Sequence, residues 1–267
     1  MVASVAWISV APVKGLRLQR RDDVHLGVSG VPGDRAFFLV DDRGRMVSAT
    51  RLGPLVAVLP EHDADAGTLS LRLPGGEEIA EPVELGEPES VSFYGTAVRA
   101  RPVHGRFSEV LSRHCGQPVR LVAAPPERPG VDRGSEGAAT LVSSASLERL
   151  RAEAGGTEPV DPRRFRMTFG VDGVEAHEED TWVGRDVRVG DALVRVAGNV
   201  GRCALTTREP ETGVVDFPAL HHLKAYRDGV PTTEPLPFGV YARVLRPGRV
   251  RVGDTVALAS PTPGAGR

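Results

Sequence analysis

Lysine is nearly missing from this chain. Of 33 basic side chains in 267 residues, all but Lys14 and Lys224 are arginine, and 35 acidic residues bring the formal net charge to -2. That balance gives no general drive toward nucleic acid or an anionic membrane. It also makes Lys14 informative, because the chain so rarely chooses lysine. Cysteine is equally scarce, with Cys115 and Cys203 the two present. One disulfide would be an odd staple for a chain this long, so reduced thiols and a cytoplasmic setting are expected. No Cys-x-x-Cys pair is present, which argues against a structural zinc or a bound iron–sulfur cluster. No run approaches the roughly 20 apolar residues of a membrane span. The opening Met1-Val2-Ala3-Ser4-Val5-Ala6-Trp7 has no basic segment followed by a long apolar run, so it does not read as a signal peptide. Glycine-rich turns occur without the spacing of a phosphate-binding loop or a dinucleotide fingerprint.

What is present reads as a globular, β-rich protein. At 40% hydrophobic and 25% charged residues there is material for one large core or two small ones. Short apolar runs at 2–10, 24–28, 36–40, 69–73 and 91–98 alternate with Pro, Gly and Asp turns, which suggests a small barrel. Asp41-Asp42-Arg43-Gly44 reads as a hairpin turn into Met46-Val47. Helices are expected at Arg106–His114, ending near Gly116, from Ser143 to about Ala154, and at Ala219–Arg227. The stretch 124–137 reads as a loop rich in Pro, Gly and charge. Strands return from Phe165 through Val171, at Val187–Val189, at Leu193–Val196 and beyond Val240. The expected class is mainly β with a few helices (α+β). It is divided into an N-terminal barrel-like domain over 1–100, a second barrel domain over 101–260 and a flexible tail over 261–267.

The stretch with most chemistry is Gly198-Asn199-Val200-Gly201-Arg202-Cys203-Ala204-Leu205-Thr206-Thr207. An arginine beside a cysteine favours the thiolate, which is the nucleophile and the metal ligand. On residue chemistry alone the same cysteine reads more readily as a small buried core residue. Arg166 alternates with Phe165 and Met167 in a strand-like run, which puts it on the opposite face from both. A surface ion pair and an anion contact both satisfy that placement. Lys14 and Arg35 follow turn residues at strand ends, where loops converge, and Asp34 or Glu178 are available to neutralise them as surface pairs. Ser143 and Ser144 open a helix, where serine caps backbone N–H groups and the helix end attracts anions. His177-Glu178-Glu179-Asp180 reads as a solvated acidic loop, and Arg163-Arg164 as a solvated face. His221 and His222 point to different helix faces, which makes them poor joint ligands. Thr206 and Thr207 read as strand residues.

In order along the chain, several of these pieces resemble the MOSC family, the molybdenum cofactor sulfurase C-terminal domain. They are Arg164-Phe165-Arg166, Glu179-Asp180-Thr181-Trp182-Val183-Gly184, Gly201-Arg202-Cys203-Ala204-Leu205-Thr206-Thr207 with Glu209-Pro210-Glu211-Thr212-Gly213, and Leu223-Lys224-Ala225-Tyr226-Arg227. Pro12-Val13-Lys14-Gly15 and Gly33-Asp34-Arg35 resemble the β-barrel that precedes this domain in the amidoxime-reducing branch. The sequence departs from the family pattern at Gly201, Met167, Thr168, Glu209 and Gly15. The resemblance implies a bound molybdenum cofactor (Mo-molybdopterin), with Cys203 as the metal ligand and catalytic residue. It implies cofactor contacts from Lys14, Gly15, Arg35, Ser143, Ser144, Arg166 and Arg202. The implied activity is reduction of small N-hydroxylated substrates such as amidoximes, fed by a separate iron–sulfur, flavin or haem electron-transfer protein. Neither nucleic acid nor a membrane is an expected partner. A carrier of cofactor or sulfur using a Cys203 persulfide, and a purely structural barrel, are the alternatives. Pyridoxal phosphate binding is a further property attached to the family, with no residue of this sequence assigned to it.

Overall fold

The computed structural model describes residues 2–125, 134–232 and 234–259. The expected tail 261–267 and most of the 124–137 stretch lie outside these residues. Strands dominate: β1 (Ser4–Val10), β2 (Gln19–Arg21), β3 (Asp23–Leu26), β4 (Phe37–Val40), β5 (Met46–Val47), β6 (Leu59–Asp63), β7 (Thr68–Arg72), β8 (Glu78–Pro82), β9 (Glu89–Phe93) and β10 (Thr96–Pro102) come first. After helix α1 (Phe107–Cys115) follow β11 (Arg120–Ala123), β12 (Ala139–Ser143), α2 (Ser144–Glu153) and β13 (Phe169–Asp172). Then come β14 (Asp186–Val189), β15 (Ala192–Gly201), α3 (Ala219–Arg227), β16 (Pro237–Arg246), β17 (Gly248–Arg251) and β18 (Val256–Leu258). The expected class, mainly β with a few helices, holds.

The strands form two main bodies. An eight-stranded sheet runs β18-β14-β15-β16-β12-β13-β1-β2, with β17-β3 as a separate pair. A five-stranded sheet, β5-β4-β11-β10-β9, and a three-stranded meander, β6-β7-β8, make up the other body. The sheets do not divide at residue 100. β1 pairs with β13 in the large sheet and β3 with β17, while β11 pairs with β4 in the five-stranded sheet. The chain therefore starts in one body, builds the second, and returns to complete the first. Each body has its own apolar core. One gathers Leu39, Leu55, Leu69, Leu71, Phe107 and Leu111, and the other gathers Ile8, Leu141, Phe169, Val194, Val196 and Val240.

The helices form where the sequence signals them. α1 buries Phe107, Val110 and Leu111, positions three and four apart, and stops at Gly116 in the left-handed region (φ 68°). α2 is capped by Ser143, whose hydroxyl accepts from the Ser146 N–H. α3 buries Ala219, Leu223 and Arg227 at a spacing of four. The 41–44 turn also forms as expected, with Asp41 Oδ1 accepting from the Arg43 and Arg45 N–H groups at 3.0 and 2.9 Å.

One expected strand is different. Residues 162–165 form a 3-10 turn capped by Asp161, and Arg166 follows it in the left-handed region (φ 54°). The strand begins only at Phe169. Alternation of Phe165, Arg166 and Met167 imitates a strand, but Pro162 after a capping aspartate starts a turn instead. Thr206 and Thr207 are likewise not in a strand. They close a 3-10 turn, Ala204–Thr207, whose first residue follows Cys203.

Candidate functional site

The two bodies meet around one open cavity of about 190 Å³. Lys14, Gly15, Arg35, Arg166, Arg202 and Cys203 all line it. Each arrives by its own element. Lys14 follows β1 and is fixed by its N–H bond to the Phe37 carbonyl at 2.7 Å. Gly15 bends the chain at φ 88°, and its α-carbon faces Ala49, where an added Cβ would lie 3.5 Å from the Ala49 nitrogen. Arg35 precedes β4 with φ 53°. Cys203 follows β15, whose register slips between Val196 and Gly198 and between Asn199 and Gly201. Those irregularities turn the end of the strand out of the sheet. Cys203 is consequently exposed, not a core residue.

The arginines around the cavity have distinct roles. Arg35 pairs with Asp34 and also donates from Nη2 to the Arg166 carbonyl at 3.0 Å. Asp34 Oδ1 in turn accepts the Ala11 N–H at 2.6 Å, so this ion pair is tied into the backbone. Glu178 takes no part, since its carboxylate accepts the Glu175 N–H instead. Arg166 keeps some exposed surface, but its Nη2 is buried and has no hydrogen-bond partner among the described residues. Burial, then repulsion by Arg35, push its guanidinium down to about 10, still cationic at neutral pH. A buried cationic donor without a partner is costly, so the cavity is suited to an anion at that point.

Arg202 is used differently from expectation. Its Nε donates to the Phe238 carbonyl at 2.9 Å, its Nη1 to the Phe165 carbonyl at 2.9 Å and its Nη2 to Met167 Sδ. The guanidinium stacks over the Phe165 ring at 5.3 Å. It ties the Cys203 turn to β16 and to the Arg166 turn, and so positions both. Ser143 and Ser144 do not line the cavity. Ser143 is fully buried, its hydroxyl caps α2, and its N–H donates to Glu179 Oε1 at 3.1 Å.

Three further residues were not singled out from the sequence. Thr50, Tyr94 and Tyr241 also line the cavity. Tyr94 sits at the β9–β10 turn, 58% exposed, with φ 49°, and the Lys14 ammonium lies 5.4 Å from its ring centre. Only three tyrosines occur in the chain, so the scarcity that marks Lys14 was a usable signal for two of them.

Two expected surface segments are partly or wholly buried. Glu179 is fully buried, and its carboxyl is pushed up by desolvation. His177 stands at φ 62° with both ring nitrogens buried, and burial, then Arg227 and Arg149, push it down to about 4. Asp180 bridges Arg227 (2.5 Å) and Asn199 (2.6 Å). The acidic segment thus packs inward against α2, α3 and β15. Arg164 is half-buried, held by Asp216 and donating to the Arg208 carbonyl at 2.7 Å. Among the described residues, no group of three or more His, Cys, Asp or Glu is placed to hold a metal ion.

The MOSC domain model matches residues 117–257, and the MOSC N-terminal beta barrel domain model matches residues 2–117. The chain belongs to the MOSC family. This MOSC protein is 30% identical over 287 residues to mitochondrial amidoxime-reducing component 1 of Xenopus laevis, across 96% of this chain and 82% of the relative. It is 28% identical to the human protein of the same name, across 96% and 83%. Mitochondrial amidoxime reducing component 2 of Rattus norvegicus is 27% identical, across 96% and 83%. Among solved structures, the YUAD protein from Bacillus subtilis is similar at a TM-score of 0.43 and 12% identity, over 96% of this chain and 94% of that one. No helix among the described residues is long and apolar enough to cross a membrane.

Proposed function

We propose that this MOSC protein binds a molybdenum cofactor in the cavity between its two bodies and reduces N-hydroxylated compounds. The observation that carries this reading is the convergence of an exposed thiol with Lys14, Arg35 and Arg166 on one cavity, where Arg166 leaves a buried cationic donor without a partner. The donor set fits the group: a soft sulfur for the metal and cations for an anionic phosphate end. When bound, the cofactor supplies a two-electron redox centre for removing oxygen from an N–O bond, with two electrons and two protons consumed and water released.

In this reading Cys203 holds the metal, and Arg166, Arg35 and Lys14 hold the anionic end. Gly15 leaves room for close approach of the backbone. Arg202 orients the Cys203 turn through its carbonyl bonds without spending its guanidinium on the ligand. The names of the amidoxime-reducing relatives support the substrate class. The sequence has no haem, flavin or iron–sulfur motif, so electrons arrive from a separate electron-transfer protein.

The test is expression in a host that makes the cofactor, followed by measurement of molybdenum and pterin content. Amidoxime reduction is then assayed with a nicotinamide cofactor alone and with an artificial electron donor. Near-stoichiometric molybdenum, turnover with the donor and none with nicotinamide alone are expected. Protein free of molybdenum and pterin overturns the reading. Loaded protein that reduces nothing with the donor reassigns it as a carrier.

A further inference from the structure

The sulfur of Cys203 has a hydrogen-bonding neighbour from the other body. Thr50 Oγ1 lies 3.7 Å from Cys203 Sγ, a contact between residues 153 apart in sequence. That separation is long for oxygen acceptors but within reach of a larger, more polarisable sulfur. The backbone that carries Thr50 is held in place. It follows β5 in a turn where the Ser48 carbonyl accepts the Arg51 and Leu52 N–H groups, both at 3.0 Å. Its own carbonyl accepts Arg208 Nη2 at 2.9 Å, while Arg208 Nη1 holds the Gly213 carbonyl at 2.7 Å. Arg208 belongs to the segment that leaves the Cys203 turn, its N–H bonding the Leu205 carbonyl at 3.1 Å. One guanidinium therefore fixes the threonine of one body against the cysteine turn of the other.

We propose that Thr50 is a positioning residue for the Cys203 sulfur, its hydroxyl donating to the sulfur and setting how much charge that sulfur gives to a bound metal. The part that concerns the metal rests on the function proposed above; the contact itself does not. A hydrogen bond to a ligating thiolate withdraws electron density from it, and such outer partners tune both ligand orientation and reduction potential. A thiolate accepts from a hydroxyl and cannot donate, so ligation settles the direction of this bond. This hydrogen bond to the sulfur comes from the body of the five-stranded sheet, which gives that body a part in the chemistry beyond walling the cavity.

Two variants separate this role from a structural one. Thr50→Val keeps the shape and removes the hydroxyl; Thr50→Ser keeps the hydroxyl. In molybdenum-loaded protein, a redox titration followed by the Mo(V) electron paramagnetic resonance signal reads the midpoint potential. The expected result is a lower midpoint for Thr50→Val, at unchanged molybdenum content, with Thr50→Ser restored to the wild-type value. An unmoved midpoint in fully loaded Thr50→Val overturns the proposal. A second measurement needs no metal. In a Cys115→Ala background, cofactor-free protein is alkylated with iodoacetamide at a pH where the remaining thiol is ionised. Loss of a donor leaves the thiolate more nucleophilic, so Thr50→Val should react about fivefold faster, the factor given by a net hydrogen bond of about 1 kcal/mol, and Thr50→Ser at the wild-type rate. Equal rates in all three overturn the contact even if molybdenum binds. Absence of molybdenum from all three proteins removes the functional reading while leaving the alkylation result to decide the contact.

Discussion

Arg166 stands in a conformation that costs an ordinary residue about 1–2 kcal/mol, and one buried donor of its guanidinium has no described partner. Both costs concentrate at one side chain facing the cavity, which is where a ligand would compensate them. Replacement by asparagine tolerates the left-handed backbone and removes the charge. Arg166→Asn should therefore fold, melt near the wild-type temperature and retain the cofactor about thirtyfold less tightly, corresponding to about 2 kcal/mol for a lost buried charge contact. Pterin content after gel filtration checks it. Cys203→Ser should behave in the opposite way: pterin retained, turnover lost, because a hard oxygen replaces a soft sulfur at the metal while the anionic end is held elsewhere. Equal donor-supported rates in wild type and Cys203→Ser would remove the ligand role. Cys115 is the internal control. Burial alone pushes its thiol up to about 11 and it packs against the N-terminal core, so Cys115→Ala should leave molybdenum content and rate unchanged.

At the scale of elements, the buried acidic segment makes a pH prediction. His177 titrates at about 4 in the fold and near 6.5 when unfolded, because burial and the Arg227 and Arg149 charges oppose its protonation. Between those values the unfolded chain binds the extra proton, so this group makes stability fall as pH drops from about 6.5 toward 4. Glu179, raised by desolvation, acts in the other direction: its contribution is present at low pH and is lost as pH rises through its folded value. Comparison of wild type with His177→Asn isolates the histidine, since asparagine also accepts φ 62°. Urea melts at pH 7 and pH 5 should show a smaller loss for the variant; parallel losses would refute the assignment. This segment also marks the limit of what could be read from residues. The helices were legible because Ser143, Gly116 and the apolar spacings are local signals. The start of the strand at 169–172 is not legible, because Phe165-Arg166-Met167 has the period of a strand while its turn depends on Asp161 and Pro162. The burial of Glu179 was illegible, because it depends on Ser143 and Ser146 presenting an N–H and a hydroxyl from another element, 36 and 33 residues away. Lys14, Arg35, Arg166 and Cys203 were legible as a set through their resemblance to the family, while Thr50 carries no local mark at all.

At the scale of the whole molecule, the cavity exists only while the two bodies stay in register, and at one junction between them glycine packs on glycine. Gly213, at φ 75°, lies so close to Gly53 that a Cβ on it would collide with the Gly53 carbonyl oxygen. Arg208 spans the same junction, joining the Gly213 and Thr50 carbonyls. Gly213→Ala therefore meets two separate costs, a left-handed backbone and a steric clash between bodies, together about 2–4 kcal/mol. For a chain of this size that lowers the melting temperature by roughly 4–16 °C. Gly67→Ala provides the comparison: its φ is 64°, and no atom lies within 4 Å of the added Cβ, so only the backbone cost applies. If the junction sets the cavity, Gly213→Ala should melt lower than Gly67→Ala and also lose cofactor, while Gly67→Ala keeps wild-type molybdenum content. The loss should reach the pterin as well as the metal, because Lys14 and Arg35 adjoin β4 in the body of the five-stranded sheet while Arg166 and Cys203 come from the other. A Gly213→Ala protein that melts with Gly67→Ala and carries full cofactor would show that the bodies are held in register by contacts other than this junction.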